Sequence, residues 1–286
     1  MEQPKVIITM TSWKMRINEV SKCIYHFLTR QIEKPDIFYL WLSEDEFPNK
    51  EKDLPENLLL IIESFNVKLC WLKENEYNFK RWHVYPNHYN DLVISIDDDI
   101  LFDERLVLEA KKHINETNII YGIFKDLMYE YKFNKFNTYN FDITDKSSLK
   151  YRFLGCSVIT PKSFPLEAVD NTNNEIRKKI CKRCDECWIK PFTLLHNTPI
   201  SFLNFVYNRR FENKKLQQYA TWKHLCKRYD GYSVRDYQMF INLYYFPENM
   251  KKFKEIFTDY NNSYFEHIGI SKCLKILKDN GNLYEF

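Results

Sequence analysis

Leu92-Val93-Ile94-Ser95-Ile96-Asp97-Asp98-Asp99-Ile100 is the stretch that decides the fold. Its first five residues, apolar at nearly every position, read as a strand buried on both faces, as in the centre of a parallel sheet. Three adjacent carboxylates follow at once. They repel one another, and holding them at the lip of a buried strand is costly unless a cation compensates. Strand geometry carried through the triplet sets Asp97 and Asp99 on one side and Asp98 on the other. That alternating pair is spaced to share one divalent ion, and oxygen-only ligands favour Mg²⁺ or Mn²⁺ over zinc. Such an ion suits a diphosphate ligand, because it bridges phosphate oxygens and neutralises a leaving group. The plainer reading is a polar turn that caps a helix starting near Asp103-Glu104.

Lys5–Met10, Ile37–Leu42 and Val67–Leu72 read as further strands. Asn18–Arg30 carries Val20, Cys23, Ile24, Phe27 and Leu28 at helical spacing, and Glu104–Glu116 is again helical. This alternation predicts an α/β fold, a Rossmann-like mainly parallel sheet flanked by helices, with ligands at the carboxyl ends of the strands. Arg152–Thr160 and Ile200–Val206 read as strands and Asp185–His196 as a helix, and from about residue 233 the pattern is mostly helical. No Pro/Gly/Ser linker interrupts the chain. The expected organisation is one domain over residues 1–245 and a C-terminal helical extension over 246–286 packed on it.

Composition removes several function classes. Five scattered glycines, at 122, 155, 231, 269 and 281, build neither a P-loop nor a GxGxxG dinucleotide site. Basic and acidic residues nearly balance, at 42 against 39, which gives no support to a nucleic-acid binder. The longest apolar runs, about six residues, fall far short of the roughly 20 that span a bilayer. Met1-Glu2-Gln3-Pro4 shows neither the basic start nor the apolar core of a secretory signal. The expectation is a cytoplasmic protein whose eight cysteines are reduced.

Six segments in register resemble a known family. They are Ile8-Thr9-Met10-Thr11-Ser12-Trp13-Lys14-Met15-Arg16-Ile17; Lys34-Pro35-Asp36 with Leu40-Trp41-Leu42-Ser43-Glu44-Asp45-Glu46-Phe47-Pro48; Tyr77-Asn78-Phe79-Lys80-Arg81; Asp97-Asp98-Asp99; Gly155-Cys156-Ser157-Val158-Ile159-Thr160-Pro161; and Asp185-Glu186-Cys187-Trp188-Ile189-Lys190. Over about residues 5 to 200 the chain resembles a bacterial glycosyltransferase of the GT-A fold related to family 2. The resemblance implies a nucleotide-sugar donor, a UDP-hexose by the family's habit, and a glycan or glycolipid acceptor such as lipopolysaccharide or capsule. It implies donor contacts from Thr9, Thr11, Ser12, Arg16, Lys80, Arg81, Asp97 and Asp98, with Mn²⁺ or Mg²⁺ on Asp97 and Asp99. Small hydroxyls suit base and ribose, and a guanidinium meets a diphosphate in a forked contact. Asp185 is implied as general base, with Glu186 as second choice, and Trp188 and Gly155 as acceptor contacts. The plainer readings are capping acids for Asp185 and Glu186, a helix-start salt bridge for Arg16 and a solvated pair for Lys80 and Arg81.

Other features weigh less. Cys181, Cys184 and Cys187 form C-x-x-C-x-x-C, which can bind zinc or an iron–sulfur cluster with Cys156, Cys226 or a histidine as fourth ligand. The same spacing suits a packed helix face. His196, His224 and His267 are late candidates for an extra metal ligand, and Asp236 for an acceptor or metal contact. Arg177–Arg183 holds five basic residues in seven, a solvated face or a peripheral contact with an anionic membrane. The rival functions are a sugar nucleotidyltransferase, which usually carries a glycine-rich loop after its first strand, and a non-catalytic carbohydrate-binding or scaffold protein.

Overall fold

A computed structural model describes residues 3–124, 147–152, 155–203, 210–211, 227–258 and 260–283. The chain forms two compact units. The first comprises Met1–Lys125, Gly155–Phe164 and Phe202–Tyr219, and the second Asp126–Leu154, Pro165–Ser201 and Ala220–Phe286.

The first unit opens with β1 (Val6–Thr11), α1 (Ile17–Arg30), β2 (Ile37–Ser43), α2 (Glu56–Ser64) and β3 (Lys68–Leu72). A 3₁₀ helix over Tyr77–Val84 runs into α3 (Tyr85–His88), then β4 (Leu92–Ile96), β5 (Ile100–Leu101), α4 (Leu106–Lys111) and β6 (Ile120–Gly122). After β7 (Ser147–Ser148) of the second unit comes β8 (Ser157–Ile159). These strands hydrogen-bond in the order β3-β2-β1-β4-β8-β6. The α/β class expected from the sequence holds. Pairing is parallel from β3 to β4 and antiparallel between β4 and β8 and between β8 and β6.

β1 and β4 are buried at every position, as their unbroken apolar runs require of central strands. α1 turns Ile17, Val20, Cys23, Ile24, Phe27 and Leu28 inward, one stripe of a 3.6-residue period. From β1 the chain winds outward through β2 to β3, then returns to place β4 on the other side of β1. The sheet therefore reverses direction between β1 and β4. In open α/β sheets a crevice forms at the carboxyl ends of the strands at such a reversal, because the flanking connections leave in opposite directions.

The second unit holds α5 (Asn171–Ile180), α6 (Asp185–Leu195), and β9 (Ile200–Phe202), whose Ile200 and Ser201 pair antiparallel with β7. In the first unit, β10 (Arg210–Phe211) pairs antiparallel with β5. The β11 (Arg228–Tyr229) and β12 (Tyr232–Ser233) hairpin leads to α7 (Val234–Tyr245), α8 (Pro247–Ile256), α9 (Ser263–Ile268) and α10 (Ile270–Asp279). Residues 246–283 thus share a compact unit with α5 and α6. Pro191 sits inside α6 and has no N–H for the Cys187 carbonyl one turn back. The Asn242 side-chain amide supplies the missing donor, reaching the carbonyls of Cys187 at 3.0 Å and Trp188 at 3.1 Å. That bond ties α7 to α6. Among the described residues no helix is long and apolar enough to cross a membrane.

Candidate active site

The parallel register sets Met10 beside Ile96, so the segments that leave β1 and β4 emerge side by side at the reversal. β4 ends at Ile96. The three aspartates lie past it, in the turn that leads to β5. Strand alternation therefore does not govern them, which corrects the expectation that Asp97 and Asp99 share one face against Asp98. The structure instead couples Asp98 with Asp99. Arg16, just before α1, places Nη1 2.7 Å from Asp98 Oδ1 and 3.2 Å from Asp99 Oδ2. Ser12 donates its hydroxyl to Asp98 Oδ2 at 2.6 Å. Burial works against the Arg16 charge, but Asp98 and Asp99 outweigh it and push its pKa up.

Asp97 faces Arg81, whose Nη1 lies 2.8 Å from its Oδ1. The same guanidinium donates to the Ile96 carbonyl at 3.3 Å, the Gly155 carbonyl at 3.4 Å and the Asn78 carbonyl at 3.2 Å. Arg81 thereby fastens the 3₁₀ helix to the end of β4 and to the start of the segment carrying β8. Crowding by the protein around it raises the pKa of the Asp97 carboxyl, but Arg81, a Cys156 hydrogen bond and Arg16 outweigh this and bring it below its ordinary value. Its side chain is 37% exposed against 6% for Asp98 and Asp99, so Asp97 is the carboxylate that meets solvent.

Lys80 is buried, which corrects the expectation of a basic group facing the donor. Its Nζ donates to the Ser12 carbonyl at 2.9 Å, Asn75 Oδ1 at 3.2 Å and Glu46 Oε2 at 3.4 Å. Burial pulls its pKa down against the attraction of Glu46. Lys80 shapes the turn after β1 from beneath. Thr9 and Thr11 are likewise committed: their hydroxyls donate to the carbonyls of Arg81 at 2.8 Å and Trp41 at 3.1 Å. Both are buried, so neither is placed for a ribose or base. Ser12, Arg16, Arg81, Gly155 and the three aspartates converge, and Thr9, Thr11 and Lys80 support them.

No protein-family profile matches the chain, and a search of curated proteins finds no match. Among solved structures, the crystal structure of S. aureus TarS 1-349 is similar at 13% identity with a TM-score of 0.45, over 97% of this chain and 87% of that one.

The acids that open α6 belong to the second unit and have different fates. Glu186 is buried in a two-pronged ion pair with Arg152, Nε on one carboxylate oxygen and Nη2 on the other. That partner lies 34 residues away and carries no local signal. Asp185 is only half-buried and caps its own turn through the Glu186 amide. Lys190, one turn on, is fully buried and donates to the Leu149 carbonyl at 2.7 Å. Burial lowers its pKa to about 7 against the pull of Glu186. Trp188 overturns its expected role at an acceptor sugar. It is fully buried, packs on Phe192 and Phe246, and spends its indole N–H on the Ala168 carbonyl.

The remaining candidates resolve as structural parts. Asp236 completes a capping box with Ser233 at the start of α7. His196 pairs with Glu167 on an exposed edge. His267 is exposed, and His224 and Cys226 lie outside the described residues. The basic run is no uniform surface: Arg177 is buried and bonded to Asn174, and of Arg177–Arg183 only Lys179 is fully exposed. Among the described residues no group of three or more His, Cys, Asp or Glu is arranged to hold a metal ion.

Proposed function

We propose that the chain is a glycosyltransferase that binds a nucleotide-diphosphate sugar, a UDP-hexose on the sequence resemblance, at the reversal between β1 and β4, and passes the sugar to a hydroxyl of a surface glycan or glycolipid. One observation carries the reading: two guanidiniums and three carboxylates stand together at the carboxyl edge of the sheet, where its connections diverge. A nucleotidyltransferase or a binding module would use the same crevice, but the motif order from Thr9 to Lys190 favours glycosyl transfer.

The chain's own groups supply most of the chemistry. Arg16 is 11% exposed and holds two carboxylates on a single nitrogen, Nη1. A diphosphate offers more charge and a pair of oxygens that a guanidinium can meet in a forked contact, so Arg16 could exchange a carboxylate for it. The donor set around it is all carboxylate oxygen, which fits a hard cation of the Mg²⁺ or Mn²⁺ type held by one or two carboxylates plus phosphate oxygens. Asp97, the exposed member, would hold it with phosphate oxygens, Asp99 would join it only by giving up Arg16 to the diphosphate, and the ion would neutralise the departing group. Of the two acids opening α6, Asp185 is the better general base, because Glu186 is held in its pair with Arg152.

Calorimetric titration with UDP, with and without Mn²⁺, followed by a screen for slow hydrolysis of nucleotide sugars, tests the proposal. Metal-dependent UDP binding and release of one sugar are expected. Preference for a nucleoside triphosphate would move the assignment to nucleotidyl transfer. Failure to bind any nucleotide would leave a binding or scaffold protein.

A further inference from the structure

Three thiols collect where α5 gives way to α6. Cys181 caps the end of α5, Cys184 is the N-cap of α6, and Cys187 is the third residue of that helix. All are buried. They are not equivalent. Cys181 turns its thiol onto the Cys184 carbonyl at 2.9 Å. Cys184 and Cys187 face each other, Sγ to Sγ, at 3.0 Å. Cys187 also reaches the Arg235 carbonyl at 3.6 Å.

The facing pair follows from helix geometry. An N-cap side chain and the side chain three residues on lie over the same first turn, which is why an N-cap serine ordinarily reaches that position. Here no side-chain oxygen caps α6, and sulfurs occupy both places. A disulfide needs its sulfurs to close to about 2.05 Å with Cα atoms about 4.4–6.8 Å apart. The two sulfurs already stand 3.0 Å apart, within about 1 Å of that bond length.

We propose that Cys184 and Cys187 are an oxidative modification site, a dithiol that a peroxide converts to a disulfide across the first turn of α6. One thiol ionises and its thiolate attacks a peroxide oxygen; an S–O bond forms as O–O breaks, and the hydroxide that leaves takes up the released proton as water. The second thiol likewise ionises and attacks the resulting sulfenic sulfur; S–S forms as S–O breaks, and the departing hydroxide takes that thiol's proton as a second water. Both sulfurs are oxidised and both peroxide oxygens reduced. Asp185 and Glu186 lie inside the closed ring, so oxidation fixes the turn that presents them. Burial pushes the Cys187 thiol well up, and Cys184, Glu186 and Cys181 beside it act in the same direction, so the reaction should speed up as pH rises.

The test uses the reduced full-length chain, hydrogen peroxide, alkylation and tryptic mass mapping. Cleavage after Arg183 leaves Cys184 and Cys187 on one peptide and Cys181 on another. The expected product is a peptide beginning at Cys184 that is two hydrogens lighter, refuses the alkylating reagent, and regains both thiols with dithiothreitol. Cys181→Ser should form it equally well, while Cys187→Ser should collect oxygen adducts instead. If the native chain gives a cross-link to Cys181, or gives the light peptide only after unfolding in urea, the proposal fails. These readouts need no glycosyl transfer, so they stand apart from the proposed function.

Discussion

Replacing Lys190 with methionine should remove a steep pH dependence from the stability of the second unit. Lys190 is wholly buried, and its pKa falls from 10.5 to about 7 because burial disfavours the ammonium more than Glu186 favours it. In the unfolded chain the group keeps its ordinary value. Between about pH 7 and 10.5 the unfolded state therefore binds a proton that the folded state has lost, and stability rises with pH across that window. The limiting slope is about 1.4 kcal/mol per pH unit. Because the folded group is still half-protonated near its own pKa, the gain from about pH 7 to about pH 9 is about 2 kcal/mol. Urea unfolding of wild type and Lys190→Met at both pH values measures it. The variant also strands the Leu149 carbonyl, at about 1–3 kcal/mol, but that loss is the same at either pH and cancels in the double difference. Wild type should gain about 2 kcal/mol more than the variant on going to high pH. Equal gains would show that Lys190 is not held neutral and would refute the account of its burial.

Arg16→Ala should destabilise the first unit by about 3–5 kcal/mol, because it leaves Asp98 and Asp99 buried without their shared guanidinium. Asp98→Asn on that background should restore part of the loss, read by urea midpoint. Glu186→Gln should cost about 3–5 kcal/mol by breaking the buried pair with Arg152, whereas Asp185→Asn should change stability by no more than about 1 kcal/mol. On the proposed function, Asp185→Asn keeps UDP affinity and loses transfer. Persistent transfer would send the search for the base elsewhere.

The parallel half of the sheet was legible because each strand there is a short, β-branched or aromatic run with one environment along its length. Val6–Thr11 and Leu92–Ile96 are buried throughout, and their sequences are correspondingly unbroken. α2 escaped notice because Leu58 to Ile62 are apolar in succession and show no helical period. α5 escaped for the opposite reason: apart from Ile176 and Ile180 it is polar, and its start is fixed by the Asp170 side chain accepting from the Asn173 amide. At the site, residue types could be read but not their partners. The triplet stood out, yet where the strand ended decided which carboxylates act together. Trp188 and Lys80 looked like ligand contacts because aromatic and basic side chains serve ligands, but these two are core. The Arg152–Glu186 pair joins residues far apart in sequence, and no local pattern encodes it.

Three adjacent carboxylates at a strand end suggested that folding itself would call for a metal ion. The structure shows a different balance. Arg16 lies on Asp98 and Asp99, and Arg81 lies on Asp97, with Lys80 buried beneath the same turn. The repulsion within the triplet is thus met by cations the chain carries, each fixed by its own backbone contacts or helix. A divalent ion is then not required to hold the turn together, and its work under the proposed function is confined to the ligand. Mn²⁺ should accordingly act on the affinity for UDP and leave the unfolding midpoint of the nucleotide-free protein where it was. A midpoint that climbs with Mn²⁺ alone would mean that the guanidinium pairs do not settle the charge, and that the carboxylates are the ion's before they are the ligand's.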